Sequence, residues 1–179
     1  MAASAQTAIA PGTYTVDRVH STVGFTVRHM VVAKFRGGFS DYNATLTVGD
    51  GGEISLEGAV KVDSVEVKEP NLAGHLKSPD FFDAERYPEI LFSSRSAELA
   101  ADGSLTVAGD LTIKGTTKPV TSTGELHYVE GGGKAGLELT TVIDRTQFGL
   151  NWNADLPHGG VAVAHDVTLH VELELGRED

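Results

Sequence analysis

"VTLHVELEL", residues 167–175, alternates without a break: Val167, Leu169, Val171, Leu173 and Leu175 are interleaved with Thr168, His170, Glu172 and Glu174. Successive side chains of a strand point to opposite faces, so this stretch offers one face to a core and the other to water. A helix would scatter the same residues around its axis. The pattern recurs. "EISLEGAVKV" (53–62) sets Ile54, Leu56, Val60 and Val62 against Glu53, Glu57 and Lys61. "LTVAGDLTI" (105–113) repeats it through Leu105, Val107, Leu111 and Ile113, "STVGFTVRH" (21–29) through Val23, Phe25 and Val27, and "LELTTVI" (137–143) through Leu137, Leu139 and Ile143. The fold class read from this periodicity is all-β.

Between these runs stand turn signals, "GDGG" at 49–52, "ADGS" at 101–104, "KGTTKP" at 114–119 and "EGGGK" at 130–134. Strands joined so tightly pair antiparallel. One segment, "KEPNLAGHLKSPDFFDAERYPE" (68–89), breaks the alternation. It predicts one or two short helices, the first over 71–77 and the second starting at "SPDFF", with Ser78 as its N-cap and Pro79 in its first turn. About eight strands with a single apolar face either close into a barrel or stack as a sandwich. Alternation does not separate the two.

The chain has 179 residues, 40% of them hydrophobic, enough for one well-buried core. Its 21 glycines suit turns and bulges better than helix interiors. With no cysteine, disulfides, thiolate metal sites and thiol nucleophiles are excluded. A net charge of −11 argues against nucleic acid as a partner. Residues 1–39 nevertheless carry Arg18, Arg28, Lys34 and Arg36 against Asp17 alone, so a small anionic group would be drawn there. The segment "MAASAQTAIAPG" lacks the charged start and apolar run of a secretory signal. It reads as a flexible leader, 1–11, before a barrel domain at 12–176, and the expected location is cytoplasmic. No window has the roughly 18 apolar residues of a membrane-spanning helix.

Asp17, His20 and Ser21 lie within five positions and invite a triad reading. Acyl transfer needs the hydroxyl on the imidazole and a carboxylate orienting the ring. Adjacent strand residues point to opposite faces, and no G-x-S-x-G elbow is present. The expected role is therefore structural, tying backbone groups where a strand begins. The seven histidines are scattered without metal-site spacing. Only folding could gather His158 and His165 with an acid, so no metal and no cofactor is expected.

Four ordered motifs resemble one family. "YTVDRVHSTVGFTVRH" followed by "KFRGGFSDYNATLTV", then "HLKSPDFFDAERYPEILFSS", "LTIKGTTKPV" and "DRTQFGLN" are similar to segments of the YceI-like proteins, lipocalin-like barrels implicated in polyisoprenoid binding. The resemblance implies an extended, lipocalin-like antiparallel β-barrel, a long hydrophobic pore, no catalytic residues and often a homodimer. It departs from the family in two respects. Many relatives are exported, and an arginine-aspartate pair before the family's His-Leu is replaced here by Ala73 and Gly74.

The function expected is non-enzymatic binding, storage or transport of an isoprenoid or another long apolar lipid. Each five-carbon unit would contribute roughly 3 to 4 kcal/mol before entropy and desolvation are subtracted. For the apolar pore the candidates are Phe25, Val27, Phe82, Phe92, Leu111, Ile113, Phe148 and Trp152. For a charged head group they are Arg28, Lys34, Arg36 and Arg145, since guanidinium and ammonium groups suit phosphate. The rival readings are an interaction module working through its outer surface and a lipid-ester hydrolase built on Ser21 and His20.

Overall fold

The longest strand, β1 (Gly12–His29), is where the sheet closes. A computed structural model of the chain describes residues 9–29, 32–129, 133–157 and 160–178. After β1 come β2 (Ala33–Phe39), β3 (Tyr42–Val48), β4 (Ile54–Lys61), β5 (Val65–Glu66), α1 (Pro70–Lys77), β6 (Glu89–Leu99), β7 (Ser104–Ile113), β8 (Thr116–Val129), β9 (Lys134–Asp144) and β10 (Val163–Arg177). Going round, β1, β3, β4, β6, β7, β8, β9 and β10 pair in that order, and β10 returns to β1. The result is a closed antiparallel barrel of eight strands, the alternative that periodicity had left open. The first half of β1 pairs with β3 and its second half with β2, which in turn holds β5.

Closure demands that apolar parity be shifted in two places. Tyr14 and Val16 face inward from even positions, whereas Val23, Phe25 and Val27 do so from odd ones. Between Asp17 and Thr22, β1 advances five residues while β10 advances only from Glu174 to Glu172. The surplus is odd, so the faces exchange. On β6 the single extra residue Arg95, between Ser94 and Ser96, moves the inward set from Ile90 and Phe92 to Ala97 and Leu99.

The stretch that suggested a triad ties down the first bulge. Asp17 Oδ1 accepts from the Val19 N–H at 3.0 Å, and its Oδ2 lies 2.9 Å from His20 Nδ1. Ser21 Oγ donates to the Asp17 carbonyl at 2.6 Å and accepts from the Glu174 N–H at 3.0 Å. These residues lie within a strand rather than at its start. The hydrogen bond from His20, with the Val19 N–H, holds the Asp17 carboxyl below its usual range, and Asp17, then Glu174, raises the imidazole.

A raised histidine stabilises fully below its unfolded pKa, and that contribution is lost as pH rises through the folded one. A lowered carboxyl acts in the reverse sense, its contribution fading as pH falls through the folded value. The clasp is thus strongest between about pH 4 and pH 6.5. The melting temperature of the parent protein should exceed that of His20→Gln most within this window. A gap unchanged up to pH 9 would show that protonation of His20 contributes nothing.

The first predicted helix is present. Its N-cap is Glu69, whose side chain accepts from the Asn71 N–H at 3.0 Å, and Pro70 occupies the first turn. The second does not form. Ser78 is instead the C-cap of α1, with its hydroxyl on the His75 carbonyl at 2.6 Å, and 79–82 is a chain of turns. A residue before proline avoids the α region, so Ser78, at ψ 167°, leaves the helix as Pro79 requires. Of the leader, Ile9 is buried in the core and residues 1–8 lie outside the described residues. Among the described residues no helix is long and apolar enough to cross a membrane.

Candidate functional site

Two clusters of buried side chains divide the barrel along its axis. At the end bearing the 48–54 and 99–104 turns, Tyr14, Leu46, Leu105, Leu126, Leu137 and Leu175 interdigitate and fill the interior. Tyr14, 1% exposed, is able to sit there because its hydroxyl donates to the Ala10 carbonyl at 2.7 Å. At the opposite end, where α1 and the 3₁₀ turn Arg145–Phe148 lie, the second cluster leaves a hollow. The cavity measures about 330 Å³, within the range of small-ligand pockets, and its wall is almost wholly apolar.

Aromatic rings line it in two connected groups. Phe25 lies 6.2 Å from Phe35 and 5.8 Å from Phe39, which meets Phe82 edge-on at 6.1 Å. In the second group, His75 on α1 packs edge-on against Trp152 at 4.8 Å and Phe81 at 5.0 Å. Such tilted and edge contacts fix the rings without filling the space between them. At Gly37 a Cβ would collide with the Phe25 ring, so glycine is what lets that ring lie flat over β2.

Of the pore candidates, Phe25, Val27, Phe82, Phe92, Leu111, Ile113 and Trp152 line the cavity. Phe148, 2% exposed, packs in the surrounding cluster behind the lining. Sequence reasoning did not single out Phe35, Phe39 or His75. For the first two, the alternation in "AKFRGGF" was a usable signal.

The cationic candidates separate. Arg28 pairs in register with Lys34, and Arg36 with Thr26, so the three cations share the exposed outer face of the β1–β2 ribbon, opposite Val27 and Phe35. Arg145, by contrast, is 4% exposed and borders the cavity. Its Nε donates to Ala164 O at 2.8 Å, Nη1 to Leu150 O at 2.6 Å and Trp152 O at 3.0 Å, and Nη2 to Val163 O at 3.1 Å. Burial lowers its pKa, although a guanidinium stays charged. It pins residues 150–152 to the start of β10.

Two polar residues of the wall had no place in the sequence reading. Ser122 and Thr141, 5% and 9% exposed, hydrogen-bond to each other inside the barrel. Their parity announces them, Thr141 matching Leu139 and Ile143, and Ser122 matching Val120 and Leu126.

The triad geometry is not that of acyl transfer. Ser21 bonds backbone groups, and no hydrogen bond joins it to His20 among the described residues. Asp17, His20 and Glu174 do bring ligand-type atoms within 4.8 Å of one another. Those atoms already have partners, however, since Lys134 Nζ stands 3.6 Å from Glu174 Oε2 and His20 bonds Asp17. His158 lies outside the described residues.

Comparison with known proteins agrees with this architecture. A UPF0312 protein of Staphylococcus aureus is 30% identical over 168 residues, covering 90% of this chain and 95% of its own. Among solved structures, BcnA of Burkholderia cenocepacia superposes with a TM-score of 0.77 at 23% identity, over 89% of this chain and 98% of that one. A polyisoprenoid-binding domain from Saccharophagus degradans gives 0.71 at 14% identity, over 94% and 100%. The YceI-like domain matches residues 14–175, which with the closed barrel and its half-filled interior places this chain in the YceI-like family.

Proposed function

We propose that the protein binds an isoprenoid or another long-chain apolar lipid in the hollow half of its barrel and stores or carries it without chemical change. The observation that carries this reading is the aromatic-lined cavity of about 330 Å³ above a solid core. A blind apolar cavity of this size favours a flexible hydrocarbon, each buried methylene contributing about 0.8 kcal/mol before ordering costs. The polyisoprenoid-binding domain from Saccharophagus degradans supports the isoprenoid class, as a protein of the same fold.

Phe25, Val27, Phe82, Phe92, Leu111, Ile113 and Trp152 contact the chain in this reading, with Phe148 backing them. Arg28, Lys34 and Arg36 serve a negatively charged end that remains outside, acting through their field at the rim. Arg145 offers such an end at most its remaining Nη2 hydrogen, because four of its five N–H groups are engaged.

The test is mass spectrometry of solvent extracts from the purified protein, alongside Leu169→Trp. Leu169 is half-buried in the cavity wall beside Phe25, and an indole there would occupy the ligand's volume. The parent protein should yield a stoichiometric lipid, and the variant, still folded, at least about tenfold less. No lipid from the parent, and none retained when isoprenoids are added, would defeat the reading.

A further inference from the structure

At the junction of the two clusters the wall changes character. Ser122 on β8 and Thr141 on β9 lie between the filled half, closed by Leu126, Leu137 and Leu139, and the hollow half, which begins at Val120 and Ile143. They therefore form part of the cavity's floor, and both belong to its lining. Their neighbours in register are apolar: Val107 pairs with Ser122, Leu169 with Thr141, and Phe25 with Leu169.

A purely hydrocarbon ligand does not call for hydroxyls here. Burying them without partners costs free energy, and alternation would equally accept alanine and valine. Each hydroxyl has one donor hydrogen and two acceptor lone pairs. The pair bonds to itself and, among the described residues, to nothing else, which leaves one hydrogen and several lone pairs for a third group. Among the described residues no charged side chain hydrogen-bonds to this pair. Arg145 is bound to the backbone of the 150–152 and 163–164 segments.

We propose that Ser122 and Thr141 form a subsite for an uncharged hydrogen-bonding group, a hydroxyl, ketone or amide, on the buried end of an otherwise apolar chain. The inference rests on the lipid-binding reading and adds orientation and selectivity to it. A ketone takes the remaining hydroxyl hydrogen. An alcohol gives its own hydrogen to a lone pair of the pair. A carboxylate or phosphate is rejected, because nothing at this depth balances its charge.

The experiment is a double-mutant cycle with the delipidated protein. Dissociation constants for dodecane and dodecanol are measured, by displacement of a fluorescent apolar probe, on the parent, on S122A/T141V and on T141S. Taking the ratio between proteins cancels the different affinities of the two ligands for water. The double variant should bind dodecanol about tenfold more weakly and dodecane within about twofold of the parent, while T141S keeps the parent's values. Equal changes for both ligands, or none for dodecanol, would overturn the subsite.

A second measurement needs no variant. The carbonyl stretch of a bound dodecyl methyl ketone should fall below its position in hexane, and an unshifted band would overturn the proposal. Failure of the parent to bind any of these chains has a different meaning, since it removes the lipid-binding reading and the subsite together.

Discussion

Replacing Arg145 by methionine should lower the unfolding free energy by about 3 to 5 kcal/mol, measured by urea denaturation. Methionine fills much of the volume but donates nothing, so the carbonyls of Leu150, Trp152, Val163 and Ala164 lose their donor together. Water reaches these groups poorly, because the side chain over them is 4% exposed. Arg145→Lys keeps the charge but not the planar fork, and should recover only part of the loss. The damage should be local as well as global, with hydrogen exchange accelerating in the 145–152 segment that borders the cavity before it does in β7 and β8. A midpoint unmoved by the methionine change would mean that this segment is held by its apolar contacts alone.

Truncating the solid and hollow ends should have unequal effects. Leu137→Ala, at a position 1% exposed among interlocked leucines, should cost about 3 to 4 kcal/mol, since a new void adds to the lost transfer energy. Leu169→Ala should cost only about 1 to 2 kcal/mol, because that side chain already borders empty space and has fewer packing partners to lose. Added apolar ligand should raise the melting temperature of the protein and of Leu137→Ala alike, as binding to the native state alone requires. Equal costs at the two positions would mean that the barrel is packed uniformly along its length.

Much of this fold was legible because strand alternation is printed residue by residue. The apolar series in 53–62, 105–113, 137–143 and 167–175 gave the inward faces of β4, β7, β9 and β10, with Val60 half-buried and Val62 in a turn. The helix over Pro70–Lys77 was visible from its break with that rhythm, and its end at Ser78 follows from the proline beyond it. The second helix was misread because Ser-Pro can begin a helix or end one, and the local sequence is the same in both cases. The clasp of Asp17, His20 and Ser21 was expected to be structural, but its place within a strand was not legible, for the register that makes it a bulge is set against Glu172 and Glu174. Thr141 and Ser122 sat in plain alternation with leucines and valines. Their meaning appeared only when β8 and β9 brought them side to side.

Period-two patterning, turn chemistry and the lack of cysteine are properties of neighbouring residues, so the all-β class, the antiparallel hairpins and the exclusion of thiol chemistry follow from the residues themselves. Whether the sheet closed, which half of its interior was filled and where two hydroxyls met were decided by the folded chain. These depend on two odd-numbered register shifts and on contacts such as that between Ser21 and Glu174, 153 residues apart, which no local pattern encodes.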